Sequence, residues 1–287
     1  MLSPVVAGLW RLAEWRLGTQ GLVRWIEQAL DLGVTSFDHA DIYGGYTIEG
    51  LFGNALAASP GLRERLQIVT KCGIKLVAPA RPAHAVKHYD SSRAHVLASV
   101  DNSLRALRTD RIDLLLIHRP DPLADPDELA DTFTTLRAQG KVLHFGVSNH
   151  APSQLAMLHR RFALATNQIE FSPLHLQPLA DGTLDQCLDL GLRPMLWSPL
   201  AQGRLFTSDD EAAQRVRGVL GELAHELGVS PATIAYAWLM RHPSRPHPIT
   251  GSSRIEAIAE AVAAQKITLD RQQWTRVWTA GTGHDVA

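Results

Sequence analysis

Three short apolar segments of the sequence end next to side chains that could transfer a proton together. Asp38 closes the first of these segments, and Tyr43 follows it five residues later in FDHADIYGG. Lys71 closes the second segment in IVTKCG, and His118 follows the third in LLLIHRPD. If the segments are neighbouring parallel strands of a barrel, a carboxylate, a phenol, an ammonium and an imidazole lie together at the mouth of that barrel, where the strands end.

This set of groups could protonate a carbonyl oxygen. A tyrosine has an ordinary pKa of about 10, so alone it is a weak acid near neutral pH. An ammonium such as that of Lys71 stabilises the phenolate and lowers the phenol pKa, and Asp38 would keep the ammonium charged. His118 could hydrogen-bond the substrate oxygen and orient it. Carbonyl reduction also needs hydride at the carbon, which predicts a hydride-donating cofactor.

The elements needed to position these groups alternate along the chain. Short apolar runs, several of them continuously apolar as in strands buried on both faces, alternate with longer amphipathic stretches. The predicted strands are residues 5–9, 35–38, 67–71, 112–117, 142–147, 165–168, 193–197 and 248–250. The predicted helices are residues 21–32, 49–58, 92–107, 126–138, 152–160, 184–190, 231–241 and 255–264.

Eight strands, each followed by a helix, predict an α/β fold of the (β/α)8 or TIM-barrel type in one domain over residues 1–287. Extra helices are expected after the seventh strand, at residues 216–227, and at the C-terminus, at residues 271–280. The competing fold is a doubly wound open sheet. That fold would need G-x-G-x-x-G after an early strand, and the sequence has none there. The barrel is therefore the predicted fold.

Composition limits the possible partners and compartment. Of 287 residues, 45% are hydrophobic, and the formal net charge is -1, which gives no electrostatic reason to expect nucleic acid or an anionic membrane. The two cysteines are too few for a disulfide framework. The N-terminal residues show no secretory signal, and no apolar run is long enough for a membrane span. The expectation is a cytoplasmic protein without membrane or nucleic-acid partners.

The motifs, taken together and in order, resemble one family over essentially the whole chain. They are GVTSFDHADIYGGYTIEGLFGNAL, VTKCG, LLLIHRPD, GKVLHFGVSNH, TNQIEFSP, WSPLAQGRL and TLDRQQWTRVW. This series is similar to the aldo-keto reductase superfamily, and closely to its bacterial NADP-dependent oxidoreductase branch. The resemblance implies reduction of aldehydes or ketones to alcohols with NADPH and without a metal. It places Asp38, Tyr43, Lys71 and His118 on the family's catalytic tetrad, with Tyr43 as general acid.

The resemblance also implies a cofactor site. Ser148 and Asn149 match the pair that holds the nicotinamide carboxamide, with Gln168 as a third partner, and Trp197 matches an aromatic ring that stacks on the nicotinamide. The loop expected over the pyrophosphate contains Ser198, Leu200, Gln202 and Arg204. The loop expected at the adenosine phosphate contains Gly251, Ser252, Ser253 and Arg254.

Arg254 would pair with the 2′-phosphate of NADP+ or NADPH. The family commonly places further basic or amide groups there, whereas this sequence continues with Ile255 and Glu256. NADH is therefore expected as a possible but weaker cofactor. The expected partner is a small carbonyl substrate, and the chain is expected to be a monomer or a small homo-oligomer.

Two other functions fit the same fold. A metal-dependent barrel hydrolase would need several ligands on later strands, but the sixth, seventh and eighth strands end in Gln168, Trp197 and Thr250. A cofactor-binding regulatory subunit could keep the tetrad and yet have negligible turnover. Single-turnover hydride transfer would separate that subunit from an enzyme.

Overall fold

The apolar segments form a closed barrel of eight parallel strands in a computed structural model that describes residues 2–285. The strands in chain order are β1 (Val6–Gly8), β2 (Ser36–Asp38), β3 (Gln67–Cys72), β4 (Ile74–Lys75), β5 (His88–Tyr89), β6 (Ile112–Ile117), β7 (Val142–Ser148), β8 (Asn167–Glu170), β9 (Met195–Trp197) and β10 (His247–Thr250). Around the barrel the order is β1, β10, β9, β8, β7, β6, β3 and β2. The predicted barrel is confirmed, and the predicted bounds of its strands are within two residues of those observed.

The strand interiors explain why these runs are apolar on both faces. In β6, Leu114 and Leu116 pack inside the barrel with Val69 and Met195, whereas Leu115 packs outward against the helices. Successive side chains of a strand point to opposite faces, so a strand with both faces covered reads as one continuous apolar run.

The helices surround the barrel. They are α1 (Thr19–Asp31), α2 (Ile48–Ala58), α3 (Arg93–Leu107), α4 (Pro126–Ala138), α5 (Pro152–His159), α6 (Thr183–Asp189), α7 (Arg204–Thr207), α8 (Glu211–Leu227), α9 (Pro231–Met240), α10 (Ile255–Ala263) and α11 (Arg271–Thr282). Their starts follow local capping chemistry, because Ser92 and Ser230 accept hydrogen bonds from the first-turn backbone of α3 and α9. Gly33, just beyond α1, has a φ of 80°, a left-handed conformation that favours glycine.

The extra helices lie where they are predicted, after the seventh barrel strand (β9) and at the C-terminal end of the described residues. The helix α8 begins five residues earlier than predicted, because Asp210 caps it through the backbone N–H of Ala213. On α11, Trp274 stacks on Trp238 of α9 with ring centroids 5.0 Å apart. The antiparallel pair of β4 and β5, within the long loop after β3, is not predicted.

No helix within residues 2–285 is both long and apolar enough to cross a membrane.

Candidate active site

The barrel order brings the four predicted catalytic groups together. Asp38 ends β2, Lys71 lies in β3 and His118 follows β6, and these three strands are adjacent in the barrel. The Lys71 ammonium lies 2.9 and 2.7 Å from the two carboxylate oxygens of Asp38 and 2.6 Å from the backbone oxygen of His39. It lies 3.1 Å from the Tyr43 hydroxyl. Lys71 therefore contacts the carboxylate and the phenol at the same time.

The direction of these hydrogen bonds matters for proton transfer. Lys71 has no acceptor and donates to the Tyr43 oxygen. The Asp38 carboxylate is occupied by Lys71 and by the amide nitrogen of Gln168, which donates to it over 2.8 Å. Asp38 is thus held by two donors from other strands, and the phenol's own O–H remains to be donated into the cleft.

Burial changes the acidity of this phenol more than the lysine does. Burial raises the pKa of Tyr43, the Lys71 ammonium lowers it in part, and the Asp38 carboxylate raises it again. The net direction is upward, which differs from the sequence expectation that the neighbouring ammonium makes the phenol more acidic than usual. The phenol therefore keeps its proton at neutral pH.

Lys71 is fully buried and nevertheless stays charged. Burial alone would lower the pKa of this amine, but the Asp38 carboxylate and the Tyr43 phenol outweigh it and raise the pKa above the ordinary value. A buried ammonium is tolerated here because all its donors have close acceptors. Lys71 is thus a permanent cation beside the phenol oxygen.

The His118 imidazole is uncharged at neutral pH. Burial, and then the Lys71 ammonium, lower its pKa well below the ordinary value. Its ring meets the Tyr43 ring edge to face, with centroids 6.0 Å apart. Its Nδ1 atom is buried and makes no hydrogen bond with any residue in the range 2–285. A neutral imidazole can donate one hydrogen bond from one nitrogen, as the predicted orienting role requires.

One cleft of about 890 Å³ opens at the C-terminal ends of the barrel strands. The predicted site residues that line it are Asp38, Tyr43, His118, Ser148, Asn149, Gln168, Trp197, Ser198, Leu200, Gln202, Gly251, Ser252 and Arg254. Lys71 lies behind Asp38 and Tyr43. Arg204 and Ser253 do not line the cleft: Arg204 is largely exposed and pairs with Asp210 at 3.3 Å, and Ser253 is exposed.

The residues matched to the nicotinamide form a hydrogen-bonded chain of side chains. The Trp197 indole N–H donates to the Asn149 side-chain oxygen over 2.9 Å, and the Asn149 amide nitrogen donates to the Ser148 hydroxyl over 2.7 Å. The Ser148 hydroxyl donates to the backbone oxygen of Gln168 over 3.0 Å. Both groups of the Asn149 amide therefore have protein partners, and the Trp197 ring is fixed at the cleft wall.

The loop after β9 turns sharply along the cleft. Ser198, Ala201 and Gln202 have φ values of 52°, 50° and 58°, and Gly203 has 95°. Left-handed conformations are unfavourable for residues other than glycine, and runs of them are found where backbone shape serves a ligand. The backbone of residues 198–203 thus fits a loop shaped for binding.

Sequence reasoning missed three cationic residues that line the same cleft. They are Arg11 after β1, Lys87 before β5 and Arg119 next to His118. Arg119 could have been predicted to line the cleft, because it directly follows a histidine at the end of a strand. Arg11 and Lys87 lie in irregular segments, where the sequence pattern does not show which way a side chain faces.

A second cavity of about 540 Å³ lies beside the long loop after β3 and is lined by none of the predicted site residues. It contains the carboxyl groups of Asp41 and Glu49, and burial is the main cause that raises the pKa of both. Within residues 2–285, no three His, Cys, Asp or Glu side chains are grouped so that they could hold a metal ion. The metal-dependent hydrolase therefore gains no support.

A barrel with this cleft and these groups at its strand ends has the architecture of an oxidoreductase acting on carbonyl groups. The model of the Aldo/keto reductase family matches residues 4–280, and the chain belongs to that family. It is 51% identical to oxidoreductase YdhF of Escherichia coli over 99% of this chain and 95% of that protein. It is 42% identical to 6-dehydroglucose reductase of Agrobacterium fabrum over 100% of this chain and 96% of that protein.

Solved structures show the same fold. An aldo/keto reductase from Klebsiella pneumoniae, crystallised with NADP and acetate, superimposes with a TM-score of 0.77 at 26% identity. The superposition covers 96% of this chain and 90% of that one.

Proposed function

We propose that the protein reduces aldehydes or ketones to alcohols with NADPH, and that Tyr43 is the general acid. The observation that carries this proposal is the bond from the Lys71 ammonium to the Tyr43 oxygen, at 3.1 Å, in a cleft that Tyr43 lines. A phenol whose oxygen accepts from a cation has its proton available to a substrate oxygen. As that proton leaves, the same cation stabilises the phenolate.

The other tetrad residues hold this acid in place. Asp38 keeps Lys71 charged and oriented, and the buried pair excludes water from behind the phenol. His118 stays neutral and can donate a hydrogen bond to the carbonyl oxygen, which fixes that oxygen near the Tyr43 proton. When NADPH is bound, it supplies the hydride that the carbonyl carbon requires.

The residues on the opposite half of the mouth fit a dinucleotide. Trp197 presents a half-buried ring whose edge is fixed by Asn149, which suits stacking on a flat nicotinamide. Gln168 uses its amide nitrogen on Asp38, so its amide oxygen is the group that could accept from a carboxamide. The NADP in the Klebsiella pneumoniae structure supports the same nucleotide for this chain.

Arg254 is the residue proposed to favour NADPH over NADH. It lines the cleft directly before α10, its side chain is exposed, and it makes no ion pair with any carboxylate in residues 2–285. The backbone N–H groups at the start of a helix also favour a phosphate. A single exposed arginine predicts a moderate preference for NADPH.

The experiment is single-turnover oxidation of NADPH by an excess of a reactive aromatic aldehyde, followed by absorbance. A panel of sugar aldehydes belongs beside it, because the Agrobacterium fabrum relative is a 6-dehydroglucose reductase. Absorbance loss at a rate that depends on the aldehyde supports the proposal. Tight NADPH binding, measured by tryptophan fluorescence, without absorbance loss would instead support a cofactor-binding regulatory subunit.

A further inference from the structure

The mouth of the barrel divides into two halves with different side chains. The strands β7, β8, β9 and β10 are consecutive around the barrel, and these strands and the loops after them contain the residues assigned above to the dinucleotide. The strands β1, β2, β3 and β6 form the other half. On that half, Arg11 follows β1, Lys87 lies in the loop after β3, and Arg119 follows β6.

These three cations have no carboxylate to balance them. None of the three is within 4 Å of a carboxylate oxygen of residues 2–285. Only two acidic side chains of that range line the cleft. Asp38 is committed to Lys71, and Glu260 lies on α10, beyond β10 in the other half. The substrate half of the cleft is therefore positively charged.

This charge is local and is not a consequence of a basic chain, since the formal net charge is -1. Arg119 is half-buried, and its guanidinium carbon lies 5.7 Å from the centre of the Trp197 ring. Burial and Lys71 are the main causes that lower the pKa of His118, and Arg119 and Lys87 lower it further. Both cations therefore act electrostatically on the imidazole that faces the substrate.

The guanidinium of Arg11 lies over an aromatic ring beside the cleft. Its central carbon lies 5.1 Å from the centre of the Trp10 ring, and Trp10 also lines the cleft. Stacking on a ring leaves the N–H edge of a guanidinium open, and that edge binds carboxylates and phosphates with two parallel hydrogen bonds. Arg11 and Arg119 both line the cleft, and Arg119 reaches from the end of β6 toward the Trp197 ring on β9, so it lies where the two halves meet.

We propose that the physiological carbonyl substrate carries an anionic group, a carboxylate or a phosphate, that Arg11, Lys87 and Arg119 bind. The proposal rests on the reductase function proposed above, because it places the anion in the same cleft as Tyr43. The cations then orient the carbonyl toward Tyr43 and His118. Uncharged analogues make none of these contacts and are therefore expected to react less efficiently.

The test compares matched aldehydes with the NADPH-saturated enzyme. The carboxylate arm pairs 4-carboxybenzaldehyde with its neutral methyl ester, and the phosphate arm pairs glyceraldehyde 3-phosphate with glyceraldehyde. In low-salt buffer, kcat/KM in one arm is expected to be at least about tenfold higher for the anionic aldehyde than for its neutral partner. Each of the three cations is expected to contribute about two- to fivefold to this ratio. The ratio is expected to fall toward one at about 1 M NaCl, where the screening length is about 3 Å. The arm with the larger ratio identifies the anion.

Variants assign the effect to these residues. Arg11→Gln and Lys87→Gln remove exposed charges outside the core, and each is expected to lower the anion-to-neutral ratio of kcat/KM by about two- to fivefold. Arg24→Gln, at an exposed position on α1 that does not line the cleft, changes the net charge equally and is expected to leave the ratio unchanged. A ratio near one in both arms, or a ratio that Arg24→Gln lowers as much as the cleft variants do, overturns the proposal.

A binding measurement separates this proposal from the reductase function. Calorimetric titration of the protein with NADP+ present is expected to show tighter binding of benzoate than of benzamide. Failure of every aldehyde to oxidise NADPH would refute the reductase function, and benzoate binding no tighter than benzamide would then refute the anion site too. Reduction of aldehydes with a preference for the neutral members would refute the anion site alone.

Discussion

Replacing Tyr43 by phenylalanine removes the proposed acid and little else. The phenol oxygen accepts one hydrogen bond from Lys71 at 3.1 Å, and a hydrogen bond to a charged group is worth about 1.5–3 kcal/mol. After the change, Lys71 keeps Asp38 and the backbone oxygen of His39 as acceptors. The expected loss in the free energy of unfolding is therefore at the lower end of that range, about 1.5–2 kcal/mol.

The expected loss of activity is larger than the loss of stability. Removing a general acid slows the chemical step by about a hundred- to ten-thousandfold, which corresponds to about 3–5 kcal/mol in the barrier. The assay is the single-turnover decay of NADPH absorbance with an aromatic aldehyde. Affinity for NADPH, measured by tryptophan fluorescence, is expected to stay within about threefold of the parent protein, because the residues proposed to bind the nucleotide lie on the other half of the barrel mouth.

Tyr46→Phe is the matched control for the Tyr43 variant. The Tyr46 hydroxyl also accepts one hydrogen bond, from the backbone N–H of Leu76 at 2.9 Å, but it lines the second cavity and not the cleft. Its single-turnover rate is expected to stay within about twofold of the parent. A Tyr43→Phe protein that reduces the aldehyde at the parent rate would refute the assignment of Tyr43 as the acid.

Three further changes test separate parts of the site. Lys71→Met removes the cation that lowers the pKa of the phenol, so turnover is expected to collapse and the alkaline limb of its pH–rate profile to move to higher pH. An alkaline limb at the parent position would contradict that role. Arg254→Ala is expected to weaken NADPH by about three- to tenfold in a fluorescence titration, and equal weakening of NADH would remove Arg254 from the 2′-phosphate. His39→Phe is expected to reduce the loss of stability between pH 7 and pH 5 by about 2 kcal/mol in urea unfolding. Burial lowers the pKa of His39 to about 3, so the unfolded chain takes up a proton below about pH 6.5 while folded His39 stays neutral. The exposed control His225→Gln is expected to keep the parent's pH dependence, and the same dependence in His39→Phe would contradict this assignment.

The strands and helices could be predicted because their signals are local. A run such as 112–117 is apolar on both faces, and the alternating packing of Leu114 and Leu115 shows why. Ser92 caps its helix by accepting a hydrogen bond from the backbone N–H of His95, only three residues later in the sequence. A contact this local can be predicted from a short sequence pattern. The adjacency of the Asp38, Lys71 and His118 strands then follows from the barrel itself.

The features that could not be predicted depend on packing between distant segments. The strands β4 and β5 are two residues each, and they form because the chain returns fifteen residues later to pair Ile74 with Tyr89. The net pKa of Tyr43 depends on how deeply the ring is buried, which strand-end chemistry does not give. Likewise, the cleft positions of Arg11 and Lys87 depend on loop conformation.

The hydrogen bond from Gln168 to Asp38 links the two halves of the barrel mouth. Gln168 lies on β8, in the half of the barrel mouth proposed to bind the nucleotide, and Asp38 lies on β2, in the half with the proposed acid, 130 residues away in sequence. The Asp38 oxygen that accepts from Gln168 also accepts from Lys71, which in turn contacts the Tyr43 oxygen. The position of the phenol is therefore fixed from both halves. Gln168, which is proposed to contact the cofactor, is in this way also a positioning residue for the proposed acid.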